Sequence, residues 1–192
     1  AKMNPMPDRA IIVYCNALRR LFKGCKIVIG GIESSLRRFA HYDYWDNDLR
    51  RSILYDSRAD LLVYGNGELQ ILELADRAAK GRDFIGIPGT CVISKDLPHG
   101  FRELPTWDEV KTDKKKFCEM QNLFSISTNQ AQKYKDNYLL QFAYPEYTTE
   151  FLDWVYGLGY TRKLHRDSLL RMARFSVVTH RGCIGECSFC SL

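Results

Sequence analysis

The chain has 192 residues, a formal net charge of +5, and 45% hydrophobic against 27% charged residues. That balance belongs to a globular protein and excludes a mainly disordered one, and no run approaches the roughly 18 unbroken apolar residues that span a bilayer. The mild, dispersed positive charge argues against a dedicated nucleic-acid surface.

Ala1 stands where an initiator Met would, so the sequence reads as an excerpt of a longer chain. The first half has the pattern of an α/β fold. Ile11, Cys15, Leu18 and Phe22 recur at helical spacing over 8–22, with Pro7 before and Gly24 after. The run Ile27-Val28-Ile29 then predicts a strand covered on both faces, ending at Gly30-Gly31. The long stretch 31–59 predicts an extra helix or a functional loop. Within it, His41-Tyr42-Asp43-Tyr44-Trp45-Asp46 is too acidic for a core strand and reads as a sheet-edge loop for domain packing or substrate contact.

The second apolar run, Leu61 to Tyr64, is closed by Gly65-Asn66-Gly67. A helix follows over 68–80, with Ile71, Leu72, Ala75, Ala78 and Ala79 as its apolar face. A third run, Cys91-Val92-Ile93, follows Pro88-Gly89. The runs start about 30 residues apart, the size of a βαβ unit, which predicts a parallel sheet with covering helices, with Gly30-Gly31 and Gly65-Asn66-Gly67 at the one edge where such sheets bind ligands. Further on, Thr106 and Glu109 fit a capping box for a helix burying Val110, Phe117 and Phe124, with Lys114-Lys115-Lys116 on its solvated side. Tyr138 to Phe142 predicts an edge strand, and Thr148 or Thr149 caps a helix to Tyr156. Residues 161–174 form a basic linker before a new strand, Phe175 to Thr179.

Seven cysteines are too few in pattern and odd in number for a disulfide framework. Cys15, Cys25, Cys91 and Cys118 read as reduced, buried thiols of a cytoplasmic protein. Cys183, Cys187 and Cys190 crowd into a C-x3-C-x2-C loop just after the last predicted strand. Three thiolates on one loop favour a soft metal centre, zinc or iron–sulfur. A structural zinc usually has four protein ligands, and His180 could serve as the fourth. Three ligands suit a [4Fe–4S] cluster with one open iron. A Cys187/Cys190 redox pair would leave Cys183 idle.

The spacing, the aromatic Phe189 before the last cysteine and the preceding strand resemble the signature of radical S-adenosylmethionine (SAM) enzymes. The segments Gly30-Gly31-Ile32-Glu33-Ser34-Ser35-Leu36-Arg37-Arg38, His41 to Trp45, Arg50 to Leu54, Tyr64 to Glu68 and Tyr160-Thr161-Arg162 extend the likeness to YgiQ-type radical SAM proteins over nearly the whole chain. The resemblance implies that Cys183, Cys187 and Cys190 ligate the cluster and that Phe189 lies against the adenine of SAM. It implies cleavage of SAM to a 5′-deoxyadenosyl radical, fed by a low-potential donor such as a flavodoxin or ferredoxin. The resulting division is a Rossmann-like, cobalamin-binding-type α/β domain over 1–160, the linker 161–174, and the start of a (β/α) barrel over 175–192. The rest of that barrel lies outside these residues, so the chain alone is expected to be inactive. An RNA-modifying radical SAM enzyme, suggested by the basic linker, and a non-enzymatic iron–sulfur or zinc protein are the alternative readings.

Overall fold

A computed structural model describes residues 7–161, 163–167, 176 and 181. The elements run α1 (Ala10–Leu21), β1 (Val28–Ile29), α2 (Gly31–Leu36), β2 (His41–Asp43), β3 (Asp48–Arg50), α3 (Ile53–Ser57), β4 (Leu61–Val63) and α4 (Glu68–Ala79). They continue with β5 (Thr90–Ser94), β6 (Arg102–Leu104), α5 (Trp107–Thr112), α6 (Lys114–Leu123), β7 (Gln130–Tyr134), β8 (Asn137–Gln141) and α7 (Thr149–Gly157). Residues up to Pro145 form one unit, and those from Glu146 form a second that carries α7. None of the described helices is long and apolar enough to cross a membrane.

Six strands form a mixed sheet in the order β1-β4-β5-β8-β7-β6, and β2 with β3 makes a separate antiparallel hairpin. The three apolar runs are strands, and β1 pairs with β4 in parallel as expected. The expectation of an all-parallel sheet fails at the third: β5 is antiparallel to β4, with Leu62 opposite Cys91. The cause lies in residues 80–89. Extended, ten residues reach about 33 Å, enough to bring the chain back to the edge where β4 ends. The return is pinned at both ends. Arg77 donates to the carbonyl of Ile85 at 2.7 Å, and Gly89 accepts from the Tyr64 amide at 3.1 Å. Thirty-residue spacing fits either direction.

Side chains alternate between the two faces as a pleat requires. Ile27, Ile29, Leu62, Tyr64, Cys91 and Leu139 pack with Cys15, Ile53, Leu54, Val110 and Met120, so α1, α3, α5 and α6 share one face. Leu61, Val63, Val92, Ala131 and Leu140 pack on the other with Leu74 of α4 and Ile87.

Four further expectations change. Tyr138 to Phe142 is not an edge strand: β8 lies between β5 and β7. Strand β7 escaped notice because its buried residues include Gln130 and Gln132. On α4, Gln70 and Leu74 face inward while Ile71 and Leu72 are exposed, the reverse of the predicted face. On α1, Cys15 is buried but Leu18 and Phe22 are exposed. The Thr106–Glu109 capping box is present, but the helix it opens stops at Thr112, where Asp113 caps α6 by accepting from the Lys115 amide.

Candidate functional site

Parallel pairing of β1 and β4 puts their C-terminal ends at one edge, and the two glycine turns meet there. The Gly65 amide donates to Ser35 Oγ at 3.0 Å, and Ser35 Oγ donates to the Gly31 carbonyl at 2.9 Å. Tyr144 holds the second turn from both sides: its hydroxyl accepts from the Asn66 amide at 2.9 Å and donates to the Asn66 carbonyl at 3.0 Å. Gly65 has φ +68°, and a Cβ there would lie 2.7 Å from the Tyr144 ring, so this position needs glycine on two counts.

Beneath the turns lies Arg38, only 1% exposed. Its guanidinium carbon sits 4.6 Å from the Tyr64 ring centroid and 4.2 Å from that of Phe124. Nε donates to Gln141 Oε1 at 2.9 Å and Nη1 to the Ser35 carbonyl. Nη2 has no partner, nor does the buried Ser34 Oγ. Among the described residues, no carboxylate pairs with this cation, and burial pushes its pKa down. Two stacked rings and two oriented acceptors stand in for water.

Buried glutamines extend the network. Gln141 Nε2 donates to the Ser125 carbonyl at 2.7 Å, and Gln130 Nε2 donates to that of Leu123 at 2.7 Å. Gln132 Oε1 accepts from the Ala40 amide at 3.1 Å and from the Tyr134 hydroxyl at 2.6 Å. Tyr134 in turn accepts from the Ser52 amide at 3.2 Å. The irregular stretch 31–52 is thereby fixed to the central strands by polar side chains. Arg38 belongs to a segment that carries the family likeness, but nothing in the sequence marks it or the glutamines as buried. The one available signal was Gln130-Ala131-Gln132, alternating long amides where a strand would carry apolar residues.

The segment from His41 forms the β2–β3 hairpin, and its acids serve ion pairs. Asp43 Oδ2 lies 2.8 Å from Arg9 Nε, and Asp46 bridges Arg9 and Arg50 at 2.8 and 2.9 Å. Arg50 also reaches Asp56 at 2.8 Å. Burial pushes the Asp43 carboxyl up, but hydrogen bonds from Arg9 and the Trp45 amide outweigh it and hold the pKa below the usual range. Burial pushes the His41 pKa down. The acids of the hairpin are thus engaged in ion pairs. Tyr42, Tyr44 and Trp45 stay exposed, with Tyr44 stacked on Trp45 at 4.1 Å and Arg37 5.2 Å above the Trp45 ring.

Cys183, Cys187, Cys190, Phe189 and His180 lie outside the described residues, as does most of the predicted strand before them. The four scattered thiols are free, as expected. Only Cys15 and Cys91 are buried, whereas Cys25 and Cys118 are exposed, which corrects the reading of all four as core residues. Burial pushes the Cys91 thiol up to about 12. Among the described residues, no three His, Cys, Asp or Glu side chains gather as a metal site.

The sequence model of one protein family, described as Radical SAM N-terminal, matches residues 1–177. The chain is 42% identical over 205 residues to a UPF0313 protein of Fusobacterium nucleatum, covering 98% of this chain and 36% of the relative. It is 44% identical over 214 residues to a UPF0313 protein of Clostridium perfringens, covering 100% and 32%. A Clostridium botulinum UPF0313 protein is 42% identical over 205 residues, covering 97% and 32%. The chain thus spans about a third of the length of the curated relatives it matches. No solved structure matches it.

Proposed function

The chain belongs to the Radical SAM N-terminal family, and from that we propose that it is the α/β domain and cluster loop of a radical SAM enzyme. The observation that carries the reading is the C-x3-C-x2-C spacing of Cys183, Cys187 and Cys190 directly after the family-matched region. The donor set fits an iron–sulfur cluster: three soft thiolates and no fourth cysteine on the loop leave one iron for an outside ligand. Of the free thiols elsewhere, two are buried in the core and two are exposed, and among the described residues none gathers with other ligands as a metal site. When bound, such a cluster supplies the electron that cleaves SAM reductively.

The chain's own residues hold and position. The three thiolates would hold the cluster, the backbone amides at Gly182 and Gly185 would donate to its sulfur atoms, and Phe189 would lie against the adenine. The electron comes from a low-potential donor of the flavodoxin or ferredoxin kind. The test is anaerobic reconstitution of the full-length protein, with iron, sulfide and 5′-deoxyadenosine measured. Four irons per chain and SAM cleavage are expected, with both lost in Cys183→Ala, Cys187→Ala or Cys190→Ala. His180→Ala should keep its iron. Stoichiometric zinc, no brown chromophore and no SAM turnover would overturn the reading.

A further inference from the structure

The two faces of the sheet are unequally covered. Among the described residues, four helices pack on one face, and α4 is the one helix whose buried residue joins the other cluster. Helix α4 touches that face through Gln70 and Leu74. The side turned away carries Ile71 (59% exposed), Leu72 (46%) and the exposed Ala75, Ala78 and Ala79. At 100° per residue these five make one stripe. The charges beside it are already neutralised: Glu73 pairs with Arg77 at 2.7 Å and Asp76 with Lys80 at 2.6 Å. The edge strand β1 leaves one side chain exposed on the same face. Val28 is opposite Leu61 in the parallel register, which puts it on the α4 side, and it is 38% exposed. Scattered apolar side chains need no explanation, but a continuous stripe along one helix is a face without its partner.

We infer that this stripe is an internal docking surface, covered in the full-length protein by an apolar face of the polypeptide outside these 192 residues. Three observations select that occupant. The relatives carry about two-thirds of their length beyond the matched region while matching nearly all of this chain. A tethered segment is present at high effective concentration, so a modest apolar patch suffices to hold it. The alanines at 75, 78 and 79 allow a helix axis to approach to about 8–9 Å, and the neutralised flanks suit an apolar partner rather than a charged one. This surface is independent of the proposed reaction.

The experiment places a photoreactive benzoylphenylalanine at position 72, and separately at 71, of the full-length protein. Both positions are exposed, so folding tolerates the change. Irradiation should give an adduct of monomer mass whose partner peptide lies outside residues 1–192. Adding Ala75→Arg should cut its yield about tenfold, because covering an unpaired guanidinium costs more than 1.4 kcal/mol. A dimer-mass adduct would assign the stripe to a second copy and overturn the inference. So would an adduct within residues 1–192, or none. None of these readouts needs a cluster or SAM, so they stand whether or not the chemistry does.

Discussion

Arg38 offers a test of how this sheet edge is held, because two substitutions should separate its volume from its charge. Arg38→Ala removes the slab between Tyr64 and Phe124 and strips the donors from Gln141 Oε1 and the Ser35 carbonyl. Truncating a large buried side chain costs about 2–5 kcal/mol, and each orphaned acceptor adds about 1–3 kcal/mol. Against this, a guanidinium buried without a carboxylate and with Nη2 unpartnered carries a desolvation penalty of several kcal/mol. The net loss for alanine should be about 3–4 kcal/mol, by the usual range for disrupted buried networks. Arg38→Met keeps most of the volume, relieves the desolvation penalty and leaves the same acceptors unpaired. Its loss should stay below about 2 kcal/mol, the balance of those two effects. Native-state hydrogen exchange of core amides in β4, β5 and β8 reads both values in the full-length protein. If methionine costs as much as alanine, the charge itself stabilises the edge, and the account of Arg38 as a spacer with an unspent donor is wrong.

The glycine turn gives a second test. Gly65→Ala should lose about 2–4 kcal/mol from left-handed strain and the 2.7 Å approach to Tyr144, whereas Gly81→Ala, also at positive φ but facing open space, should lose about 1 kcal/mol. For pH dependence, the folded Asp43 pKa lies below its unfolded value, so its stabilisation is complete above about pH 4 and is lost as pH falls through the folded pKa. Asp43→Asn should therefore be less stable than wild type at pH 7 and should flatten the acid side of the stability–pH curve; an unchanged acid slope would show that the ion pairs with Arg9 and Arg50 contribute nothing net. A maleimide should label Cys25 and Cys118 at pH 7.5 and spare Cys15 and Cys91, read by peptide mass spectrometry of a preparation in which those surfaces are free. Replacing any of the four by Ser should leave the iron content of the full-length protein unchanged.

The runs of β4 and β5 were legible because burial on both faces leaves little other composition for a short strand, whereas β1, expected to be covered on both faces, is buried at Ile29 and leaves Val28 exposed. Helix caps were legible because Thr106 and Glu109 satisfy orphan amides locally. What escaped reading depends on partners distant in sequence. Strand β7 is buried by accepting amides rather than by apolar side chains, so Gln130 and Gln132 look like surface residues until Ala40 and Leu123 are brought to them. The inward face of α4 was misjudged for a related reason. Its apolar stripe is larger than its contact with the sheet, and hydrophobicity marks a face that wants cover without saying whether the same unit supplies it.

The direction of β5 shows how one error and one success share a cause. Had β5 run parallel to β4, its start would lie at the far edge, away from the glycine turns. Running antiparallel, it begins at the edge where β1 and β4 end, and Gly89 joins Tyr64 to the exit of β8, accepting from the Tyr64 amide and donating to the Ala143 carbonyl at 2.9 Å. One residue further, Tyr144 closes on Gly65 and Asn66. Four chain segments thus meet where two were expected. Gly89 has φ +77°, where a side chain is strained, and a Cβ there would fall 2.1 Å from Gln70 Nε2, so that amide would have to move. The crevice beyond the ends of parallel strands is where α/β sheets take ligands. Here the antiparallel return crowds that same edge with backbone held by Ser35, Tyr64 and Tyr144. Its shape is therefore set by long-range hydrogen bonds, and that is why Gly-Gly and Gly-Asn-Gly could be placed at one edge from sequence while the segments that complete the edge could not.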